Sequence, residues 1–180
     1  MVAVNAILFL NKTNISSATP SLVEGKEDTA YRFWTAVNAI DGFGEEHARQ
    51  KTVAAQPVIL KAIAKLVFDF SFSNRRPSDG DQLIEKLLSK LTDIDVSHEN
   101  PMWKYYELSA EERNRCGLAG LSAYLPPEDT GNRDLGSFQG GFMRFGAKHN
   151  DIYPILGDMI RWKLGFPSRH SNEAMSAAAA

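Results

Sequence analysis

The side chains best suited to chemistry in this chain are cations embedded in glycine. Arg133, Arg144, Lys148 and His149 lie among Gly131, Gly136, Gly140, Gly141 and Gly146. Glycine lets backbone N–H groups approach an anion closely, and a helix beginning just after such a segment adds the positive end of its dipole. Phe138, Phe142 and Phe145 interleave with the cations and offer faces on which bases stack. The chemistry implied is contact with phosphate. The spacing is not that of a nucleotide-binding P-loop, because no Lys-Ser or Lys-Thr follows the Gly141 to Gly146 pair. The opposing reading is a solvated loop whose three Phe rings turn back into the core.

Three other groups invite a chemical reading. Arg75 and Arg76, in Asn74-Arg75-Arg76-Pro77, form two adjacent forks that either grip phosphates or pair with nearby acids. Asp93, Asp95, His98 and Glu99 supply oxygen and imidazole close together, but match neither an EF-hand loop nor a zinc spacing. Capping aspartates and a solvent-facing His98 are expected there, with no metal. Cys116, followed by Gly117-Leu118-Ala119-Gly120, reads as a small packed hydrophobe rather than a nucleophile served by a distant His149. No nucleophile elbow, H-E-x-x-H pair or dinucleotide fingerprint is present. No catalytic residue and no cofactor is expected. Trp34, Trp103 and Trp162 read as core anchors. Trp103 is the most loop-like of them, and with Tyr105 and Tyr106 it could form an apolar patch for a partner.

The elements that must position these residues are helices. A run from Val2 to Leu10 leans towards helix, and residues 11 to 26 read as loop. Ala30, Phe33, Trp34, Val37 and Ile40 give one apolar face, with Glu27 and Asp28 at its start and Gly42 and Gly44 at its end. A third helix starts at Pro57, a residue suited to the first helical position. Its stripe is Ile59, Ala62, Ile63, Leu66 and Phe70. Val58, Leu60 and Val67 make it apolar nearly all round, hence central. A fourth, capped around Ser78 to Asp81, carries Leu83, Ile84, Leu87, Leu88 and Leu91. Ser109 and Glu112 match a capping box for a helix expected to reach Tyr124. The last helix starts near Asn150-Asp151, carries Ile152, Ile155, Leu156, Met159, Ile160 and Leu164, and ends at Gly165 and Pro167. No strand-like alternation or hairpin is expected. The fold class is all-α: a single compact domain of five to seven helices over residues 1–170, with a long Gly-rich loop over residues 128–148. Residues 171–180 form a tail outside the fold.

Composition bounds the function. The 180 residues are 43% hydrophobic and 23% charged, with 20 Lys and Arg against 22 Asp and Glu. That excludes a disordered chain and a uniformly basic protein that coats nucleic acid, but leaves room for a local basic face. Charge is indeed polarised. Six basic residues meet three acidic ones from Gly131 to His170, whereas six acidic meet two basic from Asp79 to Glu99. The single cysteine fits a reducing, cytoplasmic setting. The opening apolar run lacks a preceding positive charge and a cleavage site, and falls short of the roughly 18 residues of a spanning helix, so no membrane is expected as a partner. Its abrupt start suggests a piece of a larger architecture.

The stretch Leu91-Thr92-Asp93-Ile94-Asp95-Val96-Ser97-His98-Glu99-Asn100-Pro101-Met102-Trp103 resembles a passage in the carboxy-terminal part of DndB-like proteins, the DGQHR-domain family linked to DNA sulfur modification. Lys163-Leu164-Gly165-Phe166-Pro167 is similar to the turn that ends that family's last helix, and Leu8 to Thr13 to the segment that follows its DGQHR core. The pattern departs at Val96, where the family has Trp, and the DGQHR motif is absent, since Asp41-Gly42 continues as Phe43-Gly44. The resemblance implies the helical half only, with a role in regulating or assisting DNA modification and phage defence, and no catalytic residue carries over. The expected function is a non-enzymatic helical module contacting DNA through Arg75, Arg76, Arg133, Arg144, Lys148 and His149. The alternative is a protein-interaction or self-association module, within a larger defence or modification complex, using Trp103, Tyr105 and Tyr106. A third reading is an enzyme completed by a missing amino-terminal half.

Overall fold

The computed structural model describes residues 20, 24–126 and 134–169. The opening apolar run, Arg133 and the tail from 171 lie outside the described residues.

The described chain is mostly helical. Helix α1 (Glu27–Asn38) buries Phe33 and Val37. It stops short of Gly42, because Ala39 and Ile40 bond back to Ala36 and Val37 in tighter turns that still bring Ile40 to the core. A single turn, α2 (Ala48–Lys51), and a 3₁₀ turn at Val53–Ala55 lead to α3 (Pro57–Ser71). Helix α3 starts at Pro57 and buries Val58, Ile59, Leu60, Ala62, Ile63, Ala64, Leu66, Val67 and Phe70, as an apolar circumference requires of a central helix. Helix α4 (Gly80–Lys90) packs Ile84 and Leu87 against it.

Helix α5 (Ala110–Arg115) begins on the capping box. Ser109 Oγ accepts from the Glu112 N–H and Glu112 Oε2 accepts from the Ser109 N–H at 2.8 Å. Ser109 Oγ–H also donates to Glu112 Oε2 at 2.7 Å, and this bond first, then that from the Ser109 N–H, holds the Glu112 carboxyl below the usual carboxylate range. The helix does not reach Tyr124. It closes at Arg115 in a Schellman motif, with Gly117 N–H on Asn114 O, Leu118 N–H on Arg113 O, and Gly117 at φ 71°. Residues Ala119–Ala123 continue as a 3₁₀ turn.

The Gly-rich segment is where an all-α description fails. Strands β1 (Gly136–Gln139) and β2 (Phe142–Phe145) pair antiparallel, with Phe138 opposite Met143 and Ser137 opposite Arg144. Gly140 and Gly141, at φ 59° and 84°, make the two-residue turn that matches the twist of the strands. Four-residue strands are too short to announce themselves by alternation, but two adjacent glycines between Phe138-Gln139 and Phe142-Met143 carry the hairpin signal.

Helix α6 (His149–Lys163) lies beside α3 and runs in the same direction. Near their starts Lys61 Nζ donates to Asn150 Oδ1 at 2.8 Å and sits 4.8 Å from the centre of the Tyr153 ring. Near their ends Arg161 lies 3.8 Å from Asp69 and over the Phe70 ring. Burial pulls the Arg161 guanidinium below its ordinary pKa, against the pull of Asp69 and Asp158. Buried Asp158 in turn accepts two bonds from Arg169, at 3.0 and 2.8 Å, which fold the chain after α6 back onto it.

A methyl group at position 117 would meet nothing within 4 Å. Gly117→Ala therefore isolates the cost of the left-handed backbone, and urea unfolding should show a loss of about 1 kcal/mol.

Candidate nucleic-acid interface

The parallel pair places the starts of α3 and α6 side by side, and a cleft of about 570 Å³ opens there. Its walls include Arg49 from α2, Gln56 and Val58 at the start of α3, Phe142 and Arg144 from β2, and His149 at the start of α6. That volume is in the range of small-ligand sites.

Two side chains fix the hairpin that forms one wall. Gln56 Nε2 donates to Met143 O at 2.8 Å, and Gln56 Oε1 accepts from the Phe145 N–H at 3.1 Å. The Gln56 amide thus pairs the outer edge of β2 as a neighbouring strand would. Buried His98 completes the clamp. Its Nδ1 accepts from the Met143 N–H at 3.1 Å and its Nε2 faces Arg49 O, also at 3.1 Å. We assign the ring proton to Nε2, since this tautomer satisfies Met143 N–H and Arg49 O together. With Met143 buried, strand alternation sends its neighbours Phe142 and Arg144 to the opposite face.

His98 is itself held by its own segment. Ser97 N–H donates to Asp95 Oδ1, Trp103 Nε1–H to Ser97 O, and Asn100 Oδ1 accepts from the Met102 N–H. Thr52 Oγ1 and Val53 N–H both bond Val96 O, joining this segment to the approach to α3.

Among the described residues no carboxylate lines the cleft, and neither Arg49 nor Arg144 enters an ion pair. Of the nearby acids, Glu45 bonds Lys51 and Glu99 lies 3.8 Å from Lys104, while Asp151 sits in the first turn of α6, outside the cleft lining. Two helix dipoles direct positive ends at the same space. The arrangement suits an anion.

Of the residues expected to meet phosphate, Arg144 and His149 converge here, and exposed Lys148 immediately precedes α6. Arg75 and Arg76 follow the opposite end of α3, a helix about 22 Å long. Arg76 pairs there with Asp81 at 2.6 Å. Of the three Phe rings, Phe138 and Phe145 pack against the core, the latter edge-on to Trp103, while Phe142 stays 38% exposed.

Other expectations are corrected. His98 is buried rather than solvent-facing, because its two nitrogens serve backbone groups of separate segments. Trp103 is 1% exposed, a core anchor as read, and Tyr105, which the alternative placed with it on an apolar surface patch, is 4% exposed. The 3₁₀ winding of Pro101–Glu107 turns Met102, Trp103 and Tyr105 inward, and Tyr106 is half-buried against the same core. Cys116 is exposed at the end of α5 rather than packed. Among the described residues no three His, Cys, Asp or Glu side chains gather as a metal site, and no helix is long and apolar enough to cross a membrane.

Arg49 and Gln56 escaped the sequence reading. Arg49 sits in a stretch with no periodicity. Gln56 gave one signal, its place just before the proline that opens α3. Comparison with protein-family models, with curated proteins and with solved structures finds no match.

His98→Leu strands the Met143 N–H and the Arg49 carbonyl. Stability should fall by about 1–3 kcal/mol. Amide exchange should accelerate at Met143 and Phe145 while the α4 amides keep their protection.

Proposed function

We propose that this chain is a non-enzymatic helical module that contacts DNA, its cleft and the adjoining Lys148 meeting backbone phosphate. The observation that supports this most directly is the cleft itself, where Arg49, Arg144 and His149 meet under two helix starts without a carboxylate among the lining residues. Guanidinium groups free of ion pairs keep their forks available for phosphate oxygens. The setting proposed is a cytoplasmic bacterial system of DNA modification or phage defence, as the resemblance of residues 91–103 and 163–167 suggests, with the module working inside a larger complex. A protein-interaction role loses the patch that motivated it, since Trp103 and Tyr105 lie in the core.

The binding should depend on salt. Each phosphate contact adds roughly 0.7–0.9 to the slope of log affinity against log salt. An Arg49→Ala/Arg144→Ala double variant, read by fluorescence anisotropy on a DNA with duplex and single-stranded parts, should bind more weakly with a slope lower by about 1.4–1.8. The Arg75→Ala/Arg76→Ala pair, at the far end of α3, should leave both unchanged. An unaltered slope in the cleft variant would overturn the assignment.

A further inference from the structure

We infer that the cleft takes an unpaired nucleotide, its base stacked on Phe142 and its phosphate held between Arg49 and Arg144. This rests on the phosphate-binding reading above and narrows its ligand. Contact with a duplex backbone needs only cations on an open face. The cleft instead combines cations with a concave, half-open volume of about 570 Å³ and a partly exposed aromatic ring. A paired base cannot reach that ring, since it is stacked inside the helix, whereas an extruded or single-stranded base has both faces free.

The geometry of β2 carries the argument further. Phe142 and Arg144 are two residues apart on one face of the strand, roughly 7 Å along it. A ring and a guanidinium so placed can engage the base and the phosphate of one nucleotide, joined through its sugar. The ring is a fixed platform, because its neighbour Met143 is clamped by His98 and Gln56 and the ring packs edge-on to His98 at 5.3 Å between centroids. Across the cleft, Arg49 stands on α2 beside Gln50, whose amide presents both a donor and an acceptor to a base edge. Gln56 and His98 already spend their polar atoms on β2, so they shape the site without reading the ligand.

Three probes of matched length, with free mononucleotide as competitor, test this by anisotropy: labelled single-stranded DNA, the corresponding blunt duplex and an oligomer of abasic sites. Single-stranded DNA should bind roughly tenfold or more tightly than either the duplex or the abasic strand. Phe142→Ala should lose roughly tenfold or more on single strands while keeping the wild-type salt slope, and Phe142→Trp should retain binding. Arg144→Ala should lower affinity and slope together. Competition by mononucleotide at comparable concentration would assign the site to free nucleotides; its failure to compete would assign it to a nucleotide within a strand. Equal binding of duplex, abasic and single strands, with Phe142→Ala like wild type, would overturn this inference and leave the DNA-contact reading standing. Failure to bind any of the DNAs would overturn both. Should Phe142→Ala not fold, the abasic probe and Phe142→Trp decide the question alone.

Discussion

The parallel packing of α3 against α6 is the constraint on which the remaining structure depends. Two helices side by side in one direction bring like ends of their dipoles together, an arrangement that antiparallel neighbours avoid. The C-terminal ends are relieved within the chain, where Arg161 and Lys163 occupy the last turn of α6 and Arg161 lies between the two helices. At the N-terminal ends Asp151 occupies the first turn of α6, but no acid is among the residues that line the cleft. Arg49 and Arg144 add to the positive potential there instead of cancelling it. The apolar surface of α3 supplies the energy for this arrangement. With most of its side chains buried at about 25 cal/mol per Å² of apolar area, the central helix outweighs an electrostatic term of order 1 kcal/mol.

A second consequence follows for the connections. A parallel pair cannot be joined by a tight turn, so the chain must travel from the end of α3 back to the start of α6. It does so through α4, the segment from Leu91 to Leu125, and the hairpin. The residues that line the cleft therefore come from distant parts of the sequence. Gln56 and Phe145 are 89 positions apart, and His98 and Met143 are 45. Long-range polar bonds of this kind are what make a site out of α2, the entrance to α3 and the hairpin.

That separation explains what the sequence discloses and what it hides. Helices α3, α4 and α6 were legible because each is long enough for its apolar stripe to repeat, and because Pro57 and Gly165 mark their ends. The capping box at Ser109 was legible as a local bond between near neighbours. The length of α5 was not, because Gly117 could equally sit within a helix until its Schellman bonds are seen. In the cleft, Arg144 and His149 stood out as cations near glycine. Gln56 and His98 did not, since a side chain that substitutes for a missing strand has meaning only beside its distant partner. The same holds for Trp103 and Tyr105, whose loop-like neighbours suggest exposure while their 3₁₀ winding turns them inward.

The clamp on β2 also bears on how the hairpin behaves among other proteins. A two-stranded sheet is all edge, and an edge with free N–H and C=O groups is a template for strand addition and aggregation. Along the outer side of β2, the Met143 N–H, the Met143 carbonyl and the Phe145 N–H are already taken by His98 and Gln56. No extended peptide can pair there without displacing both side chains. A segment rich in Phe and glycine, which as a bare strand would be adhesive, is thereby kept in the register that presents Phe142 and Arg144 to the cleft.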